Sequence, residues 1–292
     1  MRIAVIGAGT MGAGIAYVAA VAGLEVALHD AAPDGLERGL AQVRADLDGA
    51  VARGKLDPAA ADAAREHVSA AGTLAEAADG ADAVIEAIVE DLDAKQALFR
   101  ELDRLAPAAL LATNTSALSV TRIVSVLADP GRGIGMHFFN PVRAMRLCEL
   151  VVPDGTPEAT VTRAEDLARR MGKETVRVRD VAGFATSRIN AVIGNEGFHM
   201  LEQGVATAED IDTAVRLGLN HPMGPLEMAD LVGLDVRLAV VQTLHRELGE
   251  RYRPAETMER LVQAGRLGRK SGQGVYRYDA DGRRIPGSAE PV

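Results

Sequence analysis

The sequence predicts an α/β protein, a doubly wound sheet followed by an all-helical domain, and three observations carry that expectation. Short β-branched runs alternate with helix-like segments as far as Arg179, the pattern of βα units that builds a parallel sheet. A glycine-rich turn, Gly7-Ala8-Gly9-Thr10-Met11-Gly12, joins the first such run to the first helical one. From Gly183 onward the strand-like runs stop and the segments read as helices. The predicted division is 1–182 for the sheet domain and 183–292 for the helical one.

Composition narrows the class further. A chain of 292 residues with 48% hydrophobic content is long enough for two buried cores. A formal net charge of −9 with both signs interspersed lacks the electrostatic footprint of a nucleic-acid binder. The single Cys148 excludes an intrachain disulfide and a cysteine-cluster metal site, and it suits a reducing compartment. The apolar run after Met1 reaches glycine at position 7, too soon for a signal peptide, and no run approaches the roughly 20 residues of a membrane helix. The expectation is a cytoplasmic protein off the membrane. Six histidines show no ligand spacing, so no metal is expected.

Arg2 to Ile6 is the first strand, and the alanine-rich stretch Ala13 to Ala22 reads as a helix ended by Gly23. In such a unit Gly7 allows the tight turn, Gly9 lets the backbone approach a pyrophosphate, and Gly12 lets helix and strand pack closely. The helix N-terminus, at Thr10 and Met11, supplies N–H donors for phosphates. The next strand, Glu25 to His29, finishes at Asp30, where an acidic residue binds a ribose 2′-hydroxyl. The pattern reads as a Rossmann-type dinucleotide site rather than a structural βαβ turn, and Asp30 favours NAD over NADP because a carboxylate repels the 2′-phosphate and no arginine follows at once. His29 reads as a surface strand residue.

Leu36, Leu40, Val43 and Leu47 give residues 33 to 53 a helical period, with Arg53 and Lys55 at its end. Basic residues there either meet a phosphate-bearing ligand or, more commonly, complement the helix dipole. An alanine-rich helical region continues to Asp79. Ala83 to Ile88 is a buried strand, and Glu90 opens the helix Leu92 to Leu105. Strand ends line the ligand crevice of such sheets, so Glu90 and Lys95 sit within reach of a cofactor, although an acidic helix start is also ordinary capping. The strand Ala109 to Ala112 ends in Thr113-Asn114-Thr115-Ser116, which reads as a helix N-cap.

Ile134 to Phe138 is a buried strand running into Phe139-Asn140-Pro141, with Glu149 twelve residues beyond His137. A histidine and a carboxylate on adjoining strand ends make an oriented base, and a hydrogen-bonded core histidine fits the same window. Arg146 to Val152 and Glu174 to Arg179 read as strands around the helix Thr156 to Met171. Helices follow at Phe184 to Gln203, Thr207 to Leu217, Leu226 to Leu231, Asp235 to Leu248 and Pro254 to Ala264. The last dozen residues look frayed.

Taken together, several stretches resemble the L-3-hydroxyacyl-CoA dehydrogenase family, most closely its monofunctional 3-hydroxybutyryl-CoA members. They are Gly7 to Gly12, Glu86-Ala87-Ile88-Val89-Glu90, Asn114-Thr115-Ser116, Gly133 to Pro141, His221-Pro222-Met223-Gly224-Pro225, Asp230-Leu231-Val232-Gly233-Leu234-Asp235 and Gly268-Arg269-Lys270-Ser271-Gly272. The likeness covers nearly the whole chain. It implies NAD-dependent interconversion of a short L-3-hydroxyacyl-CoA and its 3-oxoacyl-CoA in fatty-acid and lipid metabolism. By resemblance His137 is the general base, Glu149 the carboxylate that orients it, Ser116 the hydrogen-bond partner of the substrate oxygen at C3, and Asn140 the residue near nicotinamide and substrate. Glu90, Lys95, Asn114 and Lys270 resemble cofactor contacts, and a polyanionic coenzyme A gives Arg53 and Lys55 a phosphate partner.

The resemblance also implies a homodimer formed through the helical domain. Leu217, Leu226, Met228, Leu231 and Leu234 are more apolar side chains than one thin helical layer buries. One departure stands out: Ser187 occupies a position where many members carry an active-site asparagine. Serine keeps a donor and an acceptor with a shorter reach, so Ser187 is expected to bind substrate through its hydroxyl or a water, with Asn190 one helical turn further on. Two other readings remain. A same-fold dehydrogenase of a non-CoA hydroxy acid or sugar acid is one, and the His221 to Pro225 segment leans against it. A non-catalytic dinucleotide-binding protein is the other, and its mark would be loss of His137 or Glu149.

Overall fold

The computed structural model describes residues 1–289. The chain forms two compact units, Met1–Val181 and a second beginning at Ala182. The first opens with β1 (Arg2–Ile6), α1 (Thr10–Val21), β2 (Glu25–His29), α2 (Pro33–Ala52), α3 (Pro58–Glu66), β3 (Val68–Ala70) and α4 (Leu74–Ala78). It continues through β4 (Ala83–Glu86), α5 (Leu92–Leu105), β5 (Leu110–Thr113), α6 (Val120–Val124), β6 (Gly133–Phe138), β7 (Leu147–Val152), α7 (Glu158–Arg170) and β8 (Glu174–Arg179). The strands make one sheet in the order β3-β2-β1-β4-β5-β6-β7-β8. Both neighbours of β1 run parallel to it, so the strand order reverses there and opens a crevice at the carboxyl edge. The pairing turns antiparallel only between β6 and β7. Residues 139–146, which join them, hold no helix and are too few for a parallel crossover.

The alanine-rich region before Asp79 is not one helical stretch. It divides into α3, the three-residue strand β3 and α4, and a three-residue strand leaves no alternation to detect. The start of α4 did carry a signal: Thr73 and Glu76 form a reciprocal capping box. Because β3 pairs with β2, β2 is interior, and His29 is buried with Nδ1 3.0 Å from the Ala71 carbonyl. The reading of His29 as a surface residue is corrected accordingly. At the far edge β8 is largely exposed and carries Arg177, which holds Glu158 and Glu165 at 2.8 and 2.6 Å. Charge on an edge strand deters pairing with another chain.

The second unit contains α8 (Thr186–Glu202), α9 (Ala208–Gly218), α10 (Pro225–Val232), α11 (Leu234–Leu248) and α12 (Glu256–Gln263). Phe198, Leu226, Leu234, Met258, Leu261 and Tyr276 fill its core. Two buried carboxylates fasten the chain after α12. Asp230 accepts the N–H groups of Val275 and Tyr276, each at 2.9 Å, and the Tyr278 hydroxyl at 3.1 Å. Asp212 accepts the N–H of Leu226 and of Glu227 and, at 2.7 Å, the Tyr276 hydroxyl.

The expected fraying is therefore corrected over 281–289. Tyr278 bridges to Arg284, and the Ala289 N–H donates to Glu209. Residues 290–292 of that stretch lie outside the described residues. The supposed apolar surplus is also smaller than expected: Leu226 and Leu234 are fully buried, whereas Leu217 and Leu231 remain 73% and 42% exposed. No helix among the described residues is long and apolar enough to cross a membrane.

Candidate active site

Parallel strands end on the same edge, and this brings distant stretches of the first unit together. The Gly7 to Gly12 turn follows β1, Asp30 follows β2, Glu90 follows β4, Asn114 to Ser116 follow β5, and His137 stands near the end of β6. All lie along the carboxyl edge of one sheet, where ligands bind in this class of fold.

His137 and Glu149 are directly opposed across the antiparallel β6–β7 pair. His137 Nδ1 lies 2.8 Å from Glu149 Oε2, with His137 6% exposed and Glu149 fully buried. The Phe139 ring packs on the imidazole at a centroid distance of 4.4 Å. A carboxylate at Nδ1 favours the tautomer protonated there and makes Nε2 the basic nitrogen. The Asn114 side-chain oxygen accepts the Phe138 N–H at 2.9 Å, tying the end of β6 to the loop after β5. Asn140 lies exposed in the turn that follows.

The Thr113 to Ser116 quartet does not cap a helix, since Ser119 caps α6. It cradles Glu90, which accepts the Thr115 hydroxyl and the N–H groups of Ser116 at 2.8 Å and Ala117 at 3.1 Å. Burial opposes ionisation of Glu90. The Thr115 hydroxyl, the Lys95 ammonium and the two N–H groups together outweigh it and hold the carboxyl below its usual range. Ser116 is exposed, with Oγ 3.5 Å from Glu90.

Lys95, expected at the cofactor, is 1% exposed instead. It is ion-paired with fully buried Glu86 and stands 3.4 Å from Glu90, so its ammonium lies behind the Glu90 carboxylate. Glu86 and Thr115 are the site residues that sequence reasoning passed over. Glu86 also accepts the Ile88 N–H at 2.7 Å and the Thr113 hydroxyl at 2.6 Å. The available signal was a carboxylate inside an otherwise apolar strand, which requires a buried partner.

The glycine turn fits a dinucleotide. Gly7 has φ +97°, and a Cβ on Gly12 would stand 1.7 Å from the Gly7 carbonyl oxygen. At Gly9 a Cβ would meet no protein atom within 4 Å, so the space over it is open for a ligand. Gly9 caps α1 without a side-chain bond, which leaves the first-turn N–H groups for an anion. A cavity of about 340 Å³ adjoins, lined by Gly9, Thr10, Asp30, Arg38 and Gln42 among others. Asp30 accepts the Ala8 N–H at 2.8 Å and the Ala32 N–H at 2.9 Å.

Arg53 and Lys55 are exposed just after α2. Two expected residues belong to the second unit. Lys270 pairs with Asp235 at 2.7 Å, and Ser187 is half-buried in the first turn of α8. A largely apolar cavity of about 380 Å³ there is lined by Asn190, Ile193, His221 and Met228 among others, Thr186 but not Ser187 included. Cys148 is buried, and burial pushes its thiol far above the usual range, so it is no nucleophile. Among the described residues no group of three or more His, Cys, Asp or Glu could hold a metal ion.

Residues 2–181 match the family model for the 3-hydroxyacyl-CoA dehydrogenase NAD-binding domain, and residues 183–278 match that for the C-terminal domain. A Bacillus subtilis protein named probable 3-hydroxybutyryl-CoA dehydrogenase is 43% identical over 280 residues, 95% of this chain and 97% of the relative. An Escherichia coli protein named 3-hydroxyadipyl-CoA dehydrogenase is 40% identical over 98% of this chain and 60% of its own length. The crystal structure of (S)-3-hydroxybutyryl-CoA dehydrogenase from Ralstonia eutropha superposes with a TM-score of 0.92 at 39% identity, covering 95% of this chain and 99% of that one. The chain belongs to the 3-hydroxyacyl-CoA dehydrogenase family, whose NAD-binding and C-terminal domains it carries in that order.

Proposed function

We propose that this NAD-dependent dehydrogenase interconverts L-3-hydroxybutyryl-CoA and acetoacetyl-CoA, with His137 and Glu149 as its acid–base pair. The buried bond between His137 Nδ1 and Glu149 carries the reading. Expelling hydride from C3 requires alkoxide character at the 3-hydroxyl, so a base must take the proton as the C–H bond breaks. His137 takes it at Nε2, and Glu149 stabilises the imidazolium and holds the ring in place. In reduction His137 returns the proton to the 3-oxo oxygen. NAD, when bound, supplies the hydride acceptor. Gly7 to Gly12 and Asp30 would hold its pyrophosphate and adenosine ribose, and Glu90 and Asn114 would stand at its nicotinamide end, with the Thr115 hydroxyl, Lys95 and two backbone N–H groups keeping Glu90 ionised.

Ser116 and Asn140 are assigned to the substrate oxygen and its surroundings. Lys270, Arg53, Lys55 and Ser187 are further contacts, the first to cofactor and the others to the acyl-CoA. The protein is read as a cytoplasmic homodimer joined through the helical unit. NADH oxidation with acetoacetyl-CoA, longer 3-oxoacyl-CoA thioesters and free 3-oxo acids tests the substrate. Acetoacetyl-CoA should give the highest kcat/KM. A profile peaking at six carbons or beyond would replace the butyryl assignment, and turnover of free acids alone would remove coenzyme A from it.

A further inference from the structure

Arg38 lies on α2, eight residues after Asp30, with Gln42 one turn further along the same face. Both line the 340 Å³ cavity that Gly9 and Asp30 also line. The Arg38 guanidinium makes no hydrogen bond or ion pair among the described residues. Even Asp30, on the wall of the same cavity, is not its partner. The two Asp30 oxygens accept the N–H groups of Ala8 and Ala32, which keeps that carboxylate against the glycine turn. The cavity thus presents an anion fixed by the backbone and an uncommitted cation.

We propose that Arg38 is the counter-ion for a 2′-phosphate, so that cofactor choice is a balance between Asp30, which repels that group, and Arg38, which attracts it. The inference rests on the reading that Asp30 meets the adenosine ribose. A carboxylate with one lone pair used on each oxygen still accepts ribose hydroxyls, while its charge opposes a phosphate dianion. A guanidinium offers paired N–H donors that match phosphate oxygens. Arg38 therefore makes the discrimination against NADP smaller than Asp30 alone would impose. It also makes any gain in NADP affinity on neutralising Asp30 depend on Arg38.

Equilibrium titration of NADH and NADPH, followed by nicotinamide fluorescence without acyl substrate, tests this in the wild type, Arg38→Ala, Arg38→Lys, Asp30→Asn and the Asp30→Asn/Arg38→Ala double variant. Arg38 is exposed and makes no bond, so its truncation spares the fold. Arg38→Ala should weaken NADPH about tenfold more than NADH, a difference of about 1.4 kcal/mol, which shrinks as salt is added. Arg38→Lys should recover part of it. Asp30→Asn should tighten NADPH relative to NADH, with most of that gain absent from the double variant. Equal weakening of both dinucleotides by Arg38→Ala, or the full Asp30→Asn gain without Arg38, overturns the proposal. The ribose reading fails separately, if Asp30→Asn leaves both affinities unchanged while the Arg38→Ala difference is still measured.

Discussion

His137 and Glu149 were legible as a pair because both lie on recognisable strands whose antiparallel register sets them face to face. Replacing His137 with Gln removes the base and keeps the ring's approximate size. It should lower kcat with acetoacetyl-CoA by about 10²–10⁴-fold while NADH still binds. A fall below tenfold would mean that another group moves the proton. What stayed illegible at this scale was depth. Lys95 reads as a cofactor contact because it follows Glu90 by little more than one turn, yet that spacing does not say that the side chain turns inward onto Glu86. Ser187 poses the converse case, a half-buried hydroxyl with a role assigned by position alone. Ser187→Ala should reduce kcat/KM for acetoacetyl-CoA several-fold with NADH affinity intact, since the hydroxyl is assigned to substrate. Unchanged constants would make it a small packing residue.

At the scale of elements, the glycine turn was the most legible feature, because each glycine answers a different physical demand and each demand is measurable in space, that of Gly7 as its φ of +97°. A methyl group at Gly12 would collide with the Gly7 carbonyl oxygen at 1.7 Å, whereas one at Gly9, where φ is −67°, would touch no protein atom. Gly12→Ala must displace β1 from α1, and it should lower both Tm and NADH affinity. Gly9→Ala should lower Tm by no more than about 4 °C, since losing a favoured N-cap residue to alanine costs about 1 kcal/mol, and still weaken NADH at least tenfold. Parallel changes in the two variants, read by thermal melts and NADH titration, would contradict a ligand over Gly9. The short strand β3 was illegible for the opposite reason: three residues flanked by alanine-rich helix carry neither period. Missing it misplaced His29.

For the whole molecule, the change from alternating strands to helices near Asp180 could be read directly, because it alters the period of the apolar pattern along the chain. The fastening of the C-terminal segment could not. It depends on Asp212 and Asp230 meeting donors 45 to 64 positions away, and no local pattern announces such partners. It has a consequence for stability against pH. Burial first, and the Asp212 charge as well, outweigh the donors to Asp230 and push its carboxyl up to about 6 from an ordinary 3.8. Between those values the folded chain holds a proton that the unfolded chain has lost, so the stability this group contributes is present below about pH 4 and lost as the pH rises through 6. A rise of that size is worth about 3 kcal/mol between the two protonation states. Glu90, Glu202 and Asp235 are displaced the other way, and their contribution is lost on acidification below their unfolded values. Chemical denaturation of the wild type and Asp230→Asn at pH 4.5 to 7 separates the two, because those three carboxylates are common to both proteins and cancel in the difference. The wild-type advantage should shrink steadily across that range as Asp230 ionises inside the fold. A difference that stays level or grows with pH would mean that the carboxylate is already charged at pH 4.5, with its three donors outweighing the cost of burial.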